Sequence, residues 1–432
     1  MRVERLNQHV RLSPSGPVDF RVRPPGSKSL TNRHLLCAAL ADGATRLDGA
    51  SASDDVRVML RALERLEFSA ALVLDDERIE VSGRGGLIPA TRADIDAGAA
   101  GTAMRFLTAL CCLGRGHYRL DGTPRMRERP IGDLVSALRE LGAGIGYEQR
   151  EGFPPLTIVG STLAGGEMTL KRPPSSQFIS ALLMVAPYAA QDVLIAAPAG
   201  FPSRPYVDMT IRVMRSLGVE VLADGPRFIV PCSQRYQPRQ VAIEPDASAA
   251  CYFWAAAAIT GGAATVVGLT RESLQGDVAF VDVLERMGCR VSQCPDGLRV
   301  DGPALSELRG VDVDLEAMPD TAQTLAVAAL FARGATTIRG IGNLRTKETD
   351  RIEALRRELT KLGATVEAGE HRIRITPPGE VEPASIATYD DHRMAMSFAL
   401  VGLRVDGVVI ENAACVSKSF PDYFARIAEA SD

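Results

Sequence analysis

The residues most able to do chemistry in this sequence are two carboxylates set among cations. Asp320 lies in MPDTAQ, and Glu348 stands between Lys347 and Arg351 in NLRTKETDR. Neighbouring cations lower the pKa of a carboxylate. Such a group can act as an acid only when a ligand brings in compensating negative charge. A blander reading makes Glu348 an i,i+3 partner of Arg351 on a helix surface. His392, one of five histidines, sits beside Arg393 and is a weaker acid–base candidate. Further cations recur in loops rich in Pro and Gly: Arg125, Arg127 and Arg129 in TPRMRERP, Arg204 in FPSRPY, Arg345 with Lys347 and Arg351, and Lys418 in CVSKSFPDYF. Arginine suits bidentate pairing with phosphate or carboxylate, and lysine acts as a mobile point charge. In a chain of formal charge −4 these local concentrations point to a small substrate carrying several negative charges.

The same phase of the chain supplies helix starts. Six polar stretches each precede an Ala-rich, helix-like run: PGSKSLTNR, GAAGTAMR, PPSSQF, EPDAS, MPDTAQ and YDDHR. Capping alone explains Ser175, Asp246 and Asp320 taken singly. Taken together, six helix starts offer unpaired N–H groups and positive dipole ends, which bind anions. Lys28, Arg33, Arg105 and Arg393 lie close to three of them. PGSKS lacks P-loop spacing and no G-x-G-x-x-G follows a strand, so neither ATP nor a dinucleotide is expected.

The elements that must position these groups form an internal repeat. The turns after the six apolar runs fall near Gly43, Gly116, Asp192, Gly262, Gly334 and Gly407, with spacings of 73, 76, 70, 72 and 73 residues. A second, amphipathic helix in each unit ends at a glycine, at Gly142, Gly218, Gly288 and Gly363, with Glu67 in a degenerate first copy. Glycine there is the expected C-terminal stop. Each stop leads into alternating strands such as ERIEVSG and HRIRITP. Alternating helices and strands give an α/β class. Six units suggest two domains of three, with residues 1–25 joining 246–432 and residues 26–245 inserted between them.

Nothing in the composition opposes a globular enzyme. No apolar run reaches the length of a membrane span, no segment reads as a signal peptide, and the cytoplasm is the default expectation. The eight cysteines show no metal or redox spacing, and buried thiols in a reducing compartment are expected. The negative charge argues against nucleic-acid binding.

Nine motifs, in order and spanning nearly the whole chain, carry a specific likeness: PGSKSLTNR, GTAMR, PRMRERPIGDLV, SSQF, SRPYVDMT, MPDTAQTLA, NLRTKETDR, YDDHRMAM and KSFPDYF. With them the sequence resembles the 5-enolpyruvylshikimate-3-phosphate synthase family of enolpyruvyl transferases, the 3-phosphoshikimate 1-carboxyvinyltransferases. The resemblance implies two domains of three βαβαββ units, an inside-out barrel-like fold that closes over its substrates, with the site in the cleft between the domains. It implies transfer of the enolpyruvyl group of phosphoenolpyruvate to the 5-hydroxyl of shikimate 3-phosphate. By the same resemblance Lys28, Ser29, Arg33, Ser175, Ser176, Gln177, Ser203, Asp320, Asn343 and Lys347 surround shikimate 3-phosphate. Lys28, Gly101, Arg129, Gln177, Arg351, Arg393 and Lys418 surround phosphoenolpyruvate. Asp320, Glu348 and Lys28 match the catalytic groups. No metal or organic cofactor is implied, and a monomer is the family expectation.

Three other readings are weaker. The sister UDP-N-acetylglucosamine 1-carboxyvinyltransferases carry a reactive cysteine five residues before the conserved Arg-Pro, where this chain has Pro124. An RNA 3′-phosphate cyclase would need a nucleotide site and a histidine nucleophile. A non-catalytic anion binder should have lost Lys28, Asp320 or Glu348. Two departures from the family pattern stand out: Ala99 replaces an asparagine and Phe106 replaces a proline in the GTAMR helix. That helix borders the expected phosphoenolpyruvate site, so the response to glyphosate should differ from that of the common form. The inhibition ratios of the parent and Phe106→Pro test this, and equal ratios would contradict it.

Overall fold

The computed structural model describes residues 2–14, 16–73, 77–171, 173 and 175–429. Pro174, in the third helix start, lies outside them. The chain divides into two units, residues 1–25 with 244–432 and residues 26–243. It therefore passes from one unit to the other twice.

The repeat is visible as six four-stranded sheets with one topology. In the sheet of Arg92–Asp96, that strand runs parallel to His117–Asp121. Leu156–Val159 follows antiparallel, and Gly144–Tyr147 lies outermost. Helix Gly101–Cys111 connects the parallel pair, and helix Gly132–Glu140 precedes the hairpin, which makes a βαβαββ unit. Three sheets are completed from distant sequence. Asp19–Val22 pairs with Ala263–Val267, and Gln240–Ala242 pairs with Ala44–Asp48. The hairpin of Arg2–Leu6 and His9–Ser13 completes the sheet of Val408–Ile410.

The helix that joins the parallel strands is apolar all round, and a helix of that kind is buried. Of helix Ala247–Thr260 only Ser248 is not buried. In Lys28–Leu40 the exceptions are Lys28 and Ser29, in Gly101–Cys111 Thr102, and in Gln177–Val185 Gln177. Helices Ala322–Ala328 and His392–Ala399 are buried throughout. Where these central helices meet solvent at all, they do so in the first turn. The small residues that dominate them let neighbouring backbones approach, and large anchors such as Trp254 fill the remaining space, its indole N–H donating to Leu298 O at 3.2 Å.

The second helix of each unit lies outside with one buried stripe, as in Val56, Met59, Leu60 and Leu63 of Asp54–Arg65. Its stop needs a left-handed residue. Gly142, Gly218, Gly288 and Gly363 take φ of 93°, 87°, 107° and 91°, and the exposed Glu67 is forced to 63° in the degenerate copy. An L side chain in that region costs about 1–2 kcal/mol, and glycine's extra freedom in the unfolded chain returns part of it. Glu67→Gly should therefore stabilise the protein by up to about 1 kcal/mol, raising the urea midpoint. A lowered midpoint would show that the Glu67 side chain has a contribution of its own.

Candidate functional site

In the unit formed by residues 1–25 and 244–432, one guanidinium organises the polar groups. Arg351 opens helix Arg351–Lys361, with Asp350 capping Glu353 N at 3.1 Å. Its side chain is 1% exposed and meets three carboxylates. Nε donates to Asp391 Oδ2 at 2.7 Å, Nη1 to Asp320 Oδ1 at 3.0 Å, and Nη2 to Glu348 Oε2 at 2.9 Å. Asp391 is itself fixed, since its Oδ1 caps the next helix at Arg393 N, 2.8 Å away. The two cations flanking this node reach the same acids. Arg393 Nη2 donates to Asp320 Oδ2 at 2.9 Å, and Lys347 Nζ lies 3.7 Å from Asp320 Oδ1. Lys418 Nζ lies 3.8 Å from Glu348 Oε1.

Asp320 and Glu348 both lie among cations, as their sequence neighbours suggest, with one difference. Asp320 makes no side-chain cap. It sits in the 3-10 turn Pro319–Thr321 and faces cations instead. Burial pushes its carboxyl upward, but Arg393, Lys347 and Arg351 outweigh burial and hold it far below the ordinary carboxylate range. Glu348 pairs with Arg351 three residues on, yet it precedes the helix and is not on an exposed helix face. Asn343 lies in the turn Gly342–Thr346 in the same unit. His392 is buried, with Nδ1 3.9 Å from Asp391 Oδ1.

A further carboxylate in this unit carries no signal in the sequence reading. Asp277 is 2% exposed, accepts from the Ser248 hydroxyl at the open end of helix Ala247–Thr260, and is pushed up to about 6. Burial is the main cause and the Asp320 charge adds to it, while Arg393 and Ser248 pull the other way.

In the unit of residues 26–243, the opened first turns of three central helices carry the expected groups. Ser27 caps helix Lys28–Leu40. Lys28 Nζ donates to Asp55 Oδ2 at 2.9 Å, with side chains 14% and 6% exposed. Gln177 Nε2 donates to Thr102 Oγ1 at 3.1 Å, tying two helix starts together, and Ser175 Oγ accepts from Gln177 N at 3.2 Å. Ser176 is buried at the cap, and Ser203 is buried in left-handed backbone, φ 60°, before helix Arg204–Ser216. A Cβ at Gly101 would fall 2.5 Å from Arg129 Nη2, so a larger residue there would push the Arg129 guanidinium aside. Arg129 is 7% exposed, and its Nε finds no hydrogen-bond partner among the described residues. Arg33 is 2% exposed and donates to Thr210 Oγ1, Ser29 O, Tyr206 O and the Ser180 hydroxyl.

Several cations expected at the site are spent elsewhere. Arg125 pairs with Glu128, Arg127 with Asp121, Arg204 with Asp208 and Arg345 with Asp350. These carboxylates lie within six residues in sequence, a local signal that the cation count alone passes over. Conversely, Asp391, Asp55 and Asp277 complete the charge balance and are not evident as partners from spacing. Among the described residues no cluster of three or more His, Cys, Asp or Glu could hold a metal ion. No helix is long and apolar enough to cross a membrane.

Asp277 yields a pH signature. Its folded pKa lies above the ordinary value near 3.9, so the folded protein holds this proton more tightly than the unfolded chain. Its contribution therefore falls as pH rises from about 4 to about 6, and the penalty is complete at neutrality. Asp277→Asn should gain stability on the parent across that window, by about 3 kcal/mol between its ends. Parallel stability curves for the two proteins would contradict this.

With the geometry in place, comparison with known proteins gives one answer. The model of the family EPSP synthase (3-phosphoshikimate 1-carboxyvinyltransferase) matches residues 12–427. A 3-phosphoshikimate 1-carboxyvinyltransferase of Nostoc punctiforme is 48% identical over 411 residues, 95% of this chain and 96% of that protein. One from Citrobacter koseri is 48% identical over 427 residues, 98% and 99% of the two chains. The solved EPSP synthase of Acinetobacter baumannii superposes with a TM-score of 0.81 at 24% identity over 98% of each chain, a likeness of fold. Family model and full-length relatives agree, and the chain belongs to the EPSP synthase (3-phosphoshikimate 1-carboxyvinyltransferase) family.

Proposed function

We propose that this chain transfers the enolpyruvyl group of phosphoenolpyruvate to the 5-hydroxyl of shikimate 3-phosphate, as a step of aromatic amino-acid biosynthesis, with Asp320 and Glu348 as its proton movers. Family membership supports the reaction. The observation that carries the assignment of roles is the Arg351 node, where two carboxylates occupy the two terminal nitrogens of one buried guanidinium. An acid and a base held by one group are spaced by a single small substrate.

The node also explains how Asp320, held so strongly as a carboxylate, comes to exchange a proton. The carboxylate and phosphate of phosphoenolpyruvate compete with Asp320 and Glu348 for Arg351, Arg393 and Lys418. Each contact the substrate takes over releases a protein carboxylate from a cation and raises its proton affinity. Asp391, which accepts from Nε and also from Nη2, keeps Arg351 anchored while its bonds to Asp320 and Glu348 are exchanged. Asp320 then accepts the 5-hydroxyl proton as that oxygen attacks C2, and Glu348 gives a proton to C3, forming a tetrahedral phospho-intermediate. Reversal of the proton transfers expels phosphate and leaves the enol ether. Each general acid–base step contributes about 10²–10⁴-fold. Fixed cations around the developing charge supply further stabilisation.

The second unit provides the complementary groups. Ser29, Arg33, Ser175, Ser176, Gln177 and Ser203 act on shikimate 3-phosphate with Asn343 and Lys347, and Lys28, Gly101, Gln177 and Arg129 act on phosphoenolpyruvate. Arg129 Nε is buried without a hydrogen-bond partner among the described residues, a state that an incoming anion relieves.

The reading is tested by phosphate release from phosphoenolpyruvate, with shikimate 3-phosphate or UDP-N-acetylglucosamine as acceptor. Release should require shikimate 3-phosphate and fall at least about 10²-fold in Glu348→Gln. Release only with the nucleotide sugar assigns the sister reaction. A folded protein that binds shikimate 3-phosphate and releases no phosphate is a binder, not an enzyme.

A further inference from the structure

Arg33 is a buried cation with no counter-charge. Its guanidinium lies at the centre of the unit formed by residues 26–243, 2% exposed, and forms no ion pair with a described carboxylate. Its hydrogen bonds go to neutral acceptors: Nε to Thr210 Oγ1 at 2.7 Å, Nη1 to Ser29 O at 2.9 Å, and Nη2 to Tyr206 O at 3.2 Å and Ser180 Oγ at 3.5 Å. These use four of the five N–H groups of an arginine, and one on Nη1 remains. The cost of burying this charge is visible in its pKa, which burial lowers to about 10.

One group in the structure offsets that cost. The ring of Phe106, fully buried on helix Gly101–Cys111, has its centroid 5.4 Å from Arg33 Cζ. The negative face of an aromatic ring attracts a cation, and more strongly when both are desolvated. The distinction from a carboxylate matters. A carboxylate at that place would cancel the charge and compete with any anionic ligand. A ring stabilises the guanidinium and leaves its net charge intact. Arg33 stays positive and holds Ser29 O and Tyr206 O in place, with one donor in reserve.

We propose that Phe106 is a positioning residue for the acceptor, holding Arg33 as an uncancelled cation, so that its ring tunes the affinity for shikimate 3-phosphate. The inference rests on the reading of Arg33 as an acceptor-binding residue. It also redirects the expectation drawn from the sequence: Phe106 shares a helix with Gly101 and Thr102, but the side-chain contact described for it is with Arg33.

The test weakens the ring's negative face without changing its shape. Phenylalanine at 106 is replaced by its mono-, di- and trifluorinated forms, and shikimate 3-phosphate binding is measured by calorimetry in the absence of phosphoenolpyruvate. Acceptor Kd should rise stepwise with fluorine count, reaching about 3- to 10-fold for the trifluoro form, while KM for phosphoenolpyruvate changes little and the thermal midpoint falls slightly in step with the lost ring attraction. Phe106→Leu should weaken the acceptor in the parent but not in an Arg33→Gln background. An acceptor Kd independent of fluorination overturns the proposal, as does a change confined to phosphoenolpyruvate. Turnover of the parent is measured separately. A parent that binds the acceptor but releases no phosphate defeats the assigned reaction and leaves the ring effect to be read directly from the binding series.

Discussion

The structure of the candidate site depends on how buried charge is balanced. Arg351 is almost wholly removed from water, and such a charge is costly unless its hydrogen-bonding capacity is filled. Asp391, Asp320 and Glu348 fill it. Of the three, Asp391 is bound on its other oxygen to a helix N-terminus and is part of the scaffold. Asp320 and Glu348 also contact Arg393, Lys347 and Lys418, cations that a substrate anion can claim. One arginine is thus tied to the fold through Asp391, which accepts from Nε and, at 3.3 Å, from Nη2, while Asp320 and Glu348 are its exchangeable partners.

The two units solve the same problem differently. In the first, the buried arginines are matched by carboxylates, and a ligand must exchange with them. In the second, Arg33 is satisfied by hydroxyls, carbonyls and a ring, and Arg129 is incompletely satisfied. An anion arriving at the first meets a nearly neutral cluster, whereas one arriving at the second meets arginines, Arg33 and Arg129, that no described carboxylate pairs with, although Lys28 there is matched by Asp55. This contrast follows from which side chains face the opened first turns of the central helices, since the backbone repeat is the same in both.

Most of the architecture was legible because the repeat states it six times. An apolar run without a polar face could only be a buried helix, and the glycine stops marked where the outer helices end. Glu67 shows the limit of that signal, since the turn formed with the left-handed backbone but without the residue that makes it easy. The site was legible where a residue's role is local to its helix start, as for Lys28, Gln177 and Asp320. It was not legible where the role depends on distant partners. Nothing near Arg351 in sequence distinguishes Asp391, forty residues away, as its anchor. Nor does the sequence around Asp277 reveal that its carboxyl is buried near Asp320 and Arg393. The surplus of cations counted in the loops had a local explanation in nearby acids such as Glu128, Asp208 and Asp350.

The pairing of Asp19–Val22 with Ala263–Val267 bears on the order in which the chain can fold during synthesis. The unit of residues 26–243 is one continuous stretch, and its last strand, Gln240–Ala242, closes its sheet against Ala44–Asp48. It can be complete while the remainder is still being made. Asp19–Val22 emerges long before that and has no partner until the chain has grown past residue 263. Until then it is an exposed edge of alternating side chains, a liability for pairing with another chain. Its apolar positions are only Phe20 and Val22, flanked by Asp19 and Arg21. A short strand that carries charge on its outer face is poorly suited to aggregate during that wait.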